Sequence, residues 1–154
     1  MSQISRTSTG GGGGGGTVTS LTAGAGITLT PNPITGTGII AATNPNTAWT
    51  VITASQTAAV NNGYITNGAG TVALLLPAIS PVGSIIEVTG MNNATGWRVT
   101  QGAGQQIFIG TASTTLGAGG SLTSSATRDS IRMVCIIANT TWNVLSVIGN
   151  VTFV

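Results

Sequence analysis

The sequence contains no lysine and no histidine, a single cysteine, and only two acidic side chains, Glu87 and Asp129. With Arg6, Arg98, Arg128 and Arg132, charged residues make up 4% of the chain, against roughly 25% in an average globular domain. Each shortage removes a class of chemistry. Without histidine, neither a Ser-His-Asp nor a Cys-His nucleophilic site can be assembled. Without lysine there is no Schiff base and no internal Lys-Asn crosslink. One cysteine closes no intrachain disulfide and, with no histidine beside it, builds no zinc site. Cys135, inside "SIRMVCIIANT", therefore reads as a small buried hydrophobe. No cofactor and no metal are expected. The net charge of +2 comes from scattered arginines, whereas a protein that tracks phosphates needs clustered basic residues, so no nucleic-acid partner is expected either.

Long apolar runs are also missing. The longest, "VALLLPAI" and "MVCIIA", fall well short of the 18 or more residues, roughly, that a membrane-spanning helix requires. An outer-membrane barrel is arithmetically open, but 4% aromatics is thin for its interfacial girdles, and no membrane insertion is expected. Residues 1–20 are polar and lack the apolar stretch of a signal peptide, which implies synthesis and retention in the cytoplasm until release. A chain that is 41% apolar and so weakly charged would self-associate as a free monomer, which implies a surface given over to assembly.

What the sequence does have is threonine, serine, glycine, alanine, valine and isoleucine, with turn signals every eight to twelve residues or so. This predicts an all-β protein with strands over 17–21, 26–30, 37–42, 48–53, 63–67, 71–77, 84–90, 96–101, 106–110, 121–125, 129–138, 141–149 and 151–154. The best-marked hairpin is the one turned by "NTTW", between two strongly β-prone runs. Composition divides the 154 residues in three. Residues 1–16 are a low-complexity arm ending in seven consecutive glycines. Residues 17–46 are an extended Gly-, Thr- and Pro-rich stalk without a bulky aromatic. Residues 47–154 hold all three tryptophans, both phenylalanines and the tyrosine, and so hold the core. The stalk offers too few large apolar side chains to offset a backbone ordering cost of about 1–2 kcal/mol per residue, so it should be ordered only against copies of itself or a partner.

Two further patterns bear on chemistry. Glu87 and Asp129 are the only side-chain carboxylates available for a two-carboxylate glycosidase, whose oxygens must lie roughly 5–9.5 Å apart. Asp129 lies beside Arg128 and near Arg132, which predicts an ion-paired, structural aspartate, so no catalytic residue is assigned. The glycine stretches "GAGQQIFIG" and "TLGAGGSL" join predicted strands, where a nucleotide loop would need a following helix. Trp49, Trp97 and Trp142 all fall within predicted strands and read as core or interface residues before they read as a ligand platform.

The stretch "GTVTSLTAGAGITLTPNPITGTGIIAA" resembles a segment of tailed-bacteriophage fibre and appendage proteins, where such a run precedes a globular tip. "AWTVITASQTAAVNNGYITNGAGTVALLLPA", "GWRVTQGAGQQIFIG" and "TTLGAGGSLTSSATRDSIRMVCIIANTTWNVLSVIGN" are similar to the β-rich modules that end many such fibres. The resemblance covers roughly residues 15–150. It implies a homotrimer with a β-sandwich, jelly-roll-like head on an extended β-arm, forming part of a virion. Only sixteen residues precede the resembling stretch, which favours a short head fibre or decoration over the tip of a long tail fibre. The partners implied are copies of itself and a capsid, collar or tail protein, with Gly10, Gly13, Gly16, Pro31, Asn32 and Pro33 as the assembly and anchoring residues. The glycine run would pack about a threefold axis, thread into a groove of the partner as an added strand, or serve as a loose tether. The alternatives are an adhesin that binds a host surface glycan through exposed Trp, Asn and Gln residues, and a subunit of an extracellular filament.

Overall fold

A computed structural model of the chain describes residues 20–23, 27–30, 39–42, 47–91 and 96–154. The described residues are all β, with no helix. The chain divides into two compact units, Met1–Pro45 and Asn46–Val154.

Among the described residues of the first unit, β1 (Ile27–Thr30) pairs antiparallel with β2 (Ile39–Ala42), with Leu29 opposite Ile40. Ile27, Ile39 and Ile40 are exposed. Leu29, between them, is buried. Residues 17–19 of the predicted strand at 17–21 lie outside the described residues.

The second unit is built by winding. From β3 (Ala48–Ile52) the chain crosses to β4 (Gln56–Thr57), returns as β5 (Asn62–Thr66), crosses to β6 (Val72–Leu75), returns as β7 (Ile85–Gly90) and crosses to β8 (Trp97–Thr100). β3, β5 and β7 pair in parallel in one sheet, and β4, β6 and β8 pair in parallel in another. These are three coils of a two-sheet solenoid. Parallel neighbours cannot be joined by a tight hairpin, and here each crossover contributes a strand to the opposite sheet.

After the third coil the chain changes habit. β9 (Gln106–Ile109) and β10 (Ala112–Ser113) form a hairpin. β11 (Ser121–Ser124) lies antiparallel to β8, and the long hairpin of β12 (Ser130–Ile137) and β13 (Thr141–Ile148) is laid antiparallel on β7. β14 (Val151–Phe153) finishes on β11. The result is a seven-stranded sheet, β10-β9-β13-β12-β7-β5-β3, and a five-stranded sheet, β14-β11-β8-β6-β4. Their inner faces share a core of Tyr64, Val72, Leu74, Ile86, Val88, Trp97, Val99, Leu122, Met133, Cys135 and Trp142, among others. The alternation is plain in β7, where Ile86, Val88 and Gly90 are buried and Ile85, Glu87 and Thr89 are partly open. The all-β, sandwich-like expectation holds. Its connectivity differs from a jelly roll, whose sheets are antiparallel throughout, because period-two alternation shows which side chains face inward and is blind to the direction of the neighbouring strand.

Two asparagines with left-handed backbones fasten segments distant in sequence. Asn61 (φ 60°) accepts the Ile85 N–H on its Oδ1 at 3.0 Å and donates its own N–H to the Ile85 carbonyl at 2.7 Å. Asn139 (φ 66°) does the same with Ser80, at 2.8 and 2.9 Å. Asparagine tolerates this conformation better than other side-chain-bearing residues, and its amide completes the pairing.

Candidate functional site

The outer face of the seven-stranded sheet carries an unusual cross-strand row. Register places Trp49 of β3 beside Gly63 of β5, Gly63 beside Glu87 of β7, and Glu87 beside Arg132 of β12. The Trp49 indole lies over Gly63. A Cβ at Gly63 would fall 2.5, 2.6 and 2.7 Å from Cδ2, Cε3 and Cε2 of the ring, and three such nearly equal distances mean a ring face resting on the backbone. Any side chain at position 63 would lift it. The ring is 50% exposed, while Gly63 beneath it is buried.

Next in the row, Arg132 Nε donates to Glu87 Oε1 at 3.0 Å, the single ion pair among the described residues. The Glu87 side chain is 18% exposed and that of Arg132 51%, so the pair sits at the water boundary and is screened. Across the row that runs through Val51, Ile65, Thr89 and Ser130, the same face changes from apolar to hydroxylated.

The other two tryptophans are core residues. Trp97 and Trp142 are fully buried. Trp97 Nε1 donates to the Asp129 carbonyl at 2.7 Å, whereas Trp142 Nε1 meets no acceptor among the described residues, so packing alone holds that ring.

Asp129 requires a correction. The flanking arginines predict an ion pair, but its Oδ2 accepts the Ser125 N–H and Ala126 N–H, each at 2.8 Å, and the Ser125 hydroxyl at 3.3 Å. The residue is 5% exposed. Main-chain donors three and four residues upstream are already in place when the turn forms, and they win over a long arginine that must lose side-chain entropy. Glu87, for which the sequence suggests no particular partner, is the carboxylate that engages Arg132. Asp129 lies three residues before Arg132, about 10 Å along the strand and of opposite facing parity, so the two carboxylates do not confront one another across a cleft.

A cleft of about 390 Å³ opens beside Thr57, Leu75, Gly102, Gln105 and Asn139. Its polar wall is already engaged. Gln105 Nε2 donates to the carbonyls of Pro77 and Asn139, and Oε1 accepts the Gly102 N–H. Behind it, Gln101 Nε2 donates to the carbonyls of Gln105, Thr115 and Gly117 while Oε1 accepts the Thr114 hydroxyl. These glutamines are internal ties and leave little to offer a ligand.

The residues assigned to assembly and anchoring, Gly10, Gly13, Gly16, Pro31, Asn32 and Pro33, lie outside the described residues. Sequence reasoning does not single out Gly63, on which the exposed tryptophan depends; the only available sign is a glycine inside a predicted strand, which marks close approach of another group. No protein-family model matches this chain, and no curated protein matches it.

Proposed function

We propose that this chain is a non-enzymatic structural module that assembles as a homotrimer and serves as a short fibre or decoration of a phage particle, held by its N-terminal arm to a capsid, collar or tail protein. One observation carries the assembly part. The last four residues of β13, 145–148, are all exposed, and three of them are large and apolar: Leu145 at 53%, Val147 at 41% and Ile148 at 69%. Val147 lies opposite the buried Ile131 and Ile148 opposite Ser130, so apolar side chains emerge on both faces of one ribbon. A monomer gains nothing by presenting such a strip to water, whereas a copy of itself can cover it.

The near absence of charge supports the same reading, since like copies approach without repulsion. Both carboxylates are occupied structurally, Asp129 by a turn and Glu87 by Arg132, which supports a role without turnover. The phage setting rests on the resemblance of residues 15–150 to fibre and appendage modules. Sedimentation equilibrium of the purified protein tests the assembly: the expected mass is three times the 15.1 kDa chain. A folded monomer at micromolar concentration would overturn it. Co-sedimentation with purified particles through a density gradient tests the setting, and free protein at the top of the gradient counts against it.

A further inference from the structure

We infer that Trp49, seated on Gly63 beside the Glu87–Arg132 pair, is a stacking platform for a neutral pyranose-containing glycan. The ring at the centre of this inference lies on the β3 side of the sheet, although Arg132 at the far end of the row pairs with Ser146 of β13. The strip at 145–148 belongs to β13, four strand spacings or about 19 Å away.

The argument begins with the ring's orientation. A tryptophan that packs edge-on or in a core contributes area, but one laid flat on a glycine turns one whole π-face outward. That face carries negative partial charge, which favours the slightly positive C–H bonds on the flat side of a sugar ring. The sheet below fixes the ring, so little rotamer freedom remains to be lost on binding.

The neighbours supply what a hydroxylated ligand needs. Trp49 Nε1 has no hydrogen-bond partner among the described residues and is free to donate at the ring edge. Glu87 lies two strands away, about 9.5 Å across the sheet, and the indole spans the first of these spacings. The Glu87 carboxylate accepts hydroxyl hydrogens, and the Arg132 guanidinium, bonded through Nε, keeps its other donors for hydroxyl oxygens. Because the two charges neutralise each other, the row offers no net attraction to an anion, which assigns it to uncharged sugars. Val51, 51% exposed and next on the same face of β3, extends the apolar floor toward a second ring.

Trp49 is the one solvent-facing tryptophan of the three, so its emission and quenching report directly on this site. The probes are neutral hexose oligosaccharides built of glucose, galactose or N-acetylglucosamine units, titrated into the full-length protein, with acrylamide quenching and calorimetry as readouts. A single platform predicts a Kd of about 1 mM. At least one sugar should shield Trp49 from acrylamide. Trp49→Ala should weaken binding about tenfold or more. Gly63→Ala, which keeps the indole but lifts it off the sheet, should do the same while circular dichroism stays unchanged. The inference is overturned if no sugar shields the ring, if binding survives both substitutions, or if Trp49 is already shielded in the sugar-free assembly, which would make this face a contact between copies. None of these outcomes alters the sedimented mass, so failure here leaves the assembly reading separately decided.

Discussion

The indole N–H of Trp97 donates to the main-chain oxygen of Asp129 at 2.7 Å, with both residues enclosed. One of the two core indoles is thereby tied to the turn that launches β12. The Asp129 carboxylate holds that turn from the other side through Ser125 and Ala126, and its Oδ1 fills the space where Gly149, at φ +86°, would carry a Cβ. Asp129→Ala removes the side-chain acceptor of the Ala126 N–H and leaves the Ser125 N–H with the Asn150 carbonyl alone, and should cost about 1–2 kcal/mol, with Asp129→Asn costing less. Urea unfolding followed by tryptophan emission checks this. A midpoint shift with unchanged slope is expected, and a shift within error would mean that water replaces the carboxylate.

Gln101 is 1% exposed, and its amide satisfies three carbonyls and one hydroxyl. Gln101→Leu keeps the volume and removes every bond. It should destabilise the sandwich unit by about 2–4 kcal/mol, and Gln101→Glu by more, because an enclosed carboxylate there would face three carbonyl oxygens with no hydrogen to offer them. Comparing the two unfolding midpoints separates lost hydrogen bonds from altered packing.

The Glu87–Arg132 pair should matter little to stability. Both side chains reach water, and a double-mutant cycle of Glu87→Gln with Arg132→Gln should give a coupling below about 1 kcal/mol that shrinks further in salt. A larger coupling would show that the pair is shielded in the assembled protein.

If the strip at 145–148 joins copies, Ile148→Glu should lower the sedimented mass toward one chain without changing the β-sheet signal, because Ile148 is 69% exposed and supports no core contact. An unchanged trimer would move the interface elsewhere.

Much of this fold is legible in the sequence, for a local reason. "SIIEVTG" alternates, and β7 alternates in burial; "NTTW" predicts a turn, and Asn139 takes the left-handed backbone there. β4 and β10, two residues each, are too short to show a period and escape sequence reasoning. Partner choice is not legible. "AWTVIT" and "GWRVTQ" look alike as strings, yet Trp49 stands on an edge strand with its ring outward, while Trp97 sits in the middle of its sheet with its ring inward. The difference comes from sheet order, which is set by contacts far apart in sequence. Asp129 misleads for the opposite reason, since the main-chain donors that hold it lie close by and carry no mark in the sequence, whereas the neighbouring arginines are conspicuous.

β3 and β4 belong to one coil, and each is the outermost strand of its sheet. Within the described sandwich unit the coil that carries Trp49 therefore pairs with strands on one side only, and its opening does not require the strands behind it to open. In deuterated water the amides of β3 and β4 should exchange early, with those of the other outermost strands β10 and β14, and long before those of β7 and β12. Each such opening withdraws the indole from Gly63, so the time the ring spends flat is governed by the fraying of a strand edge.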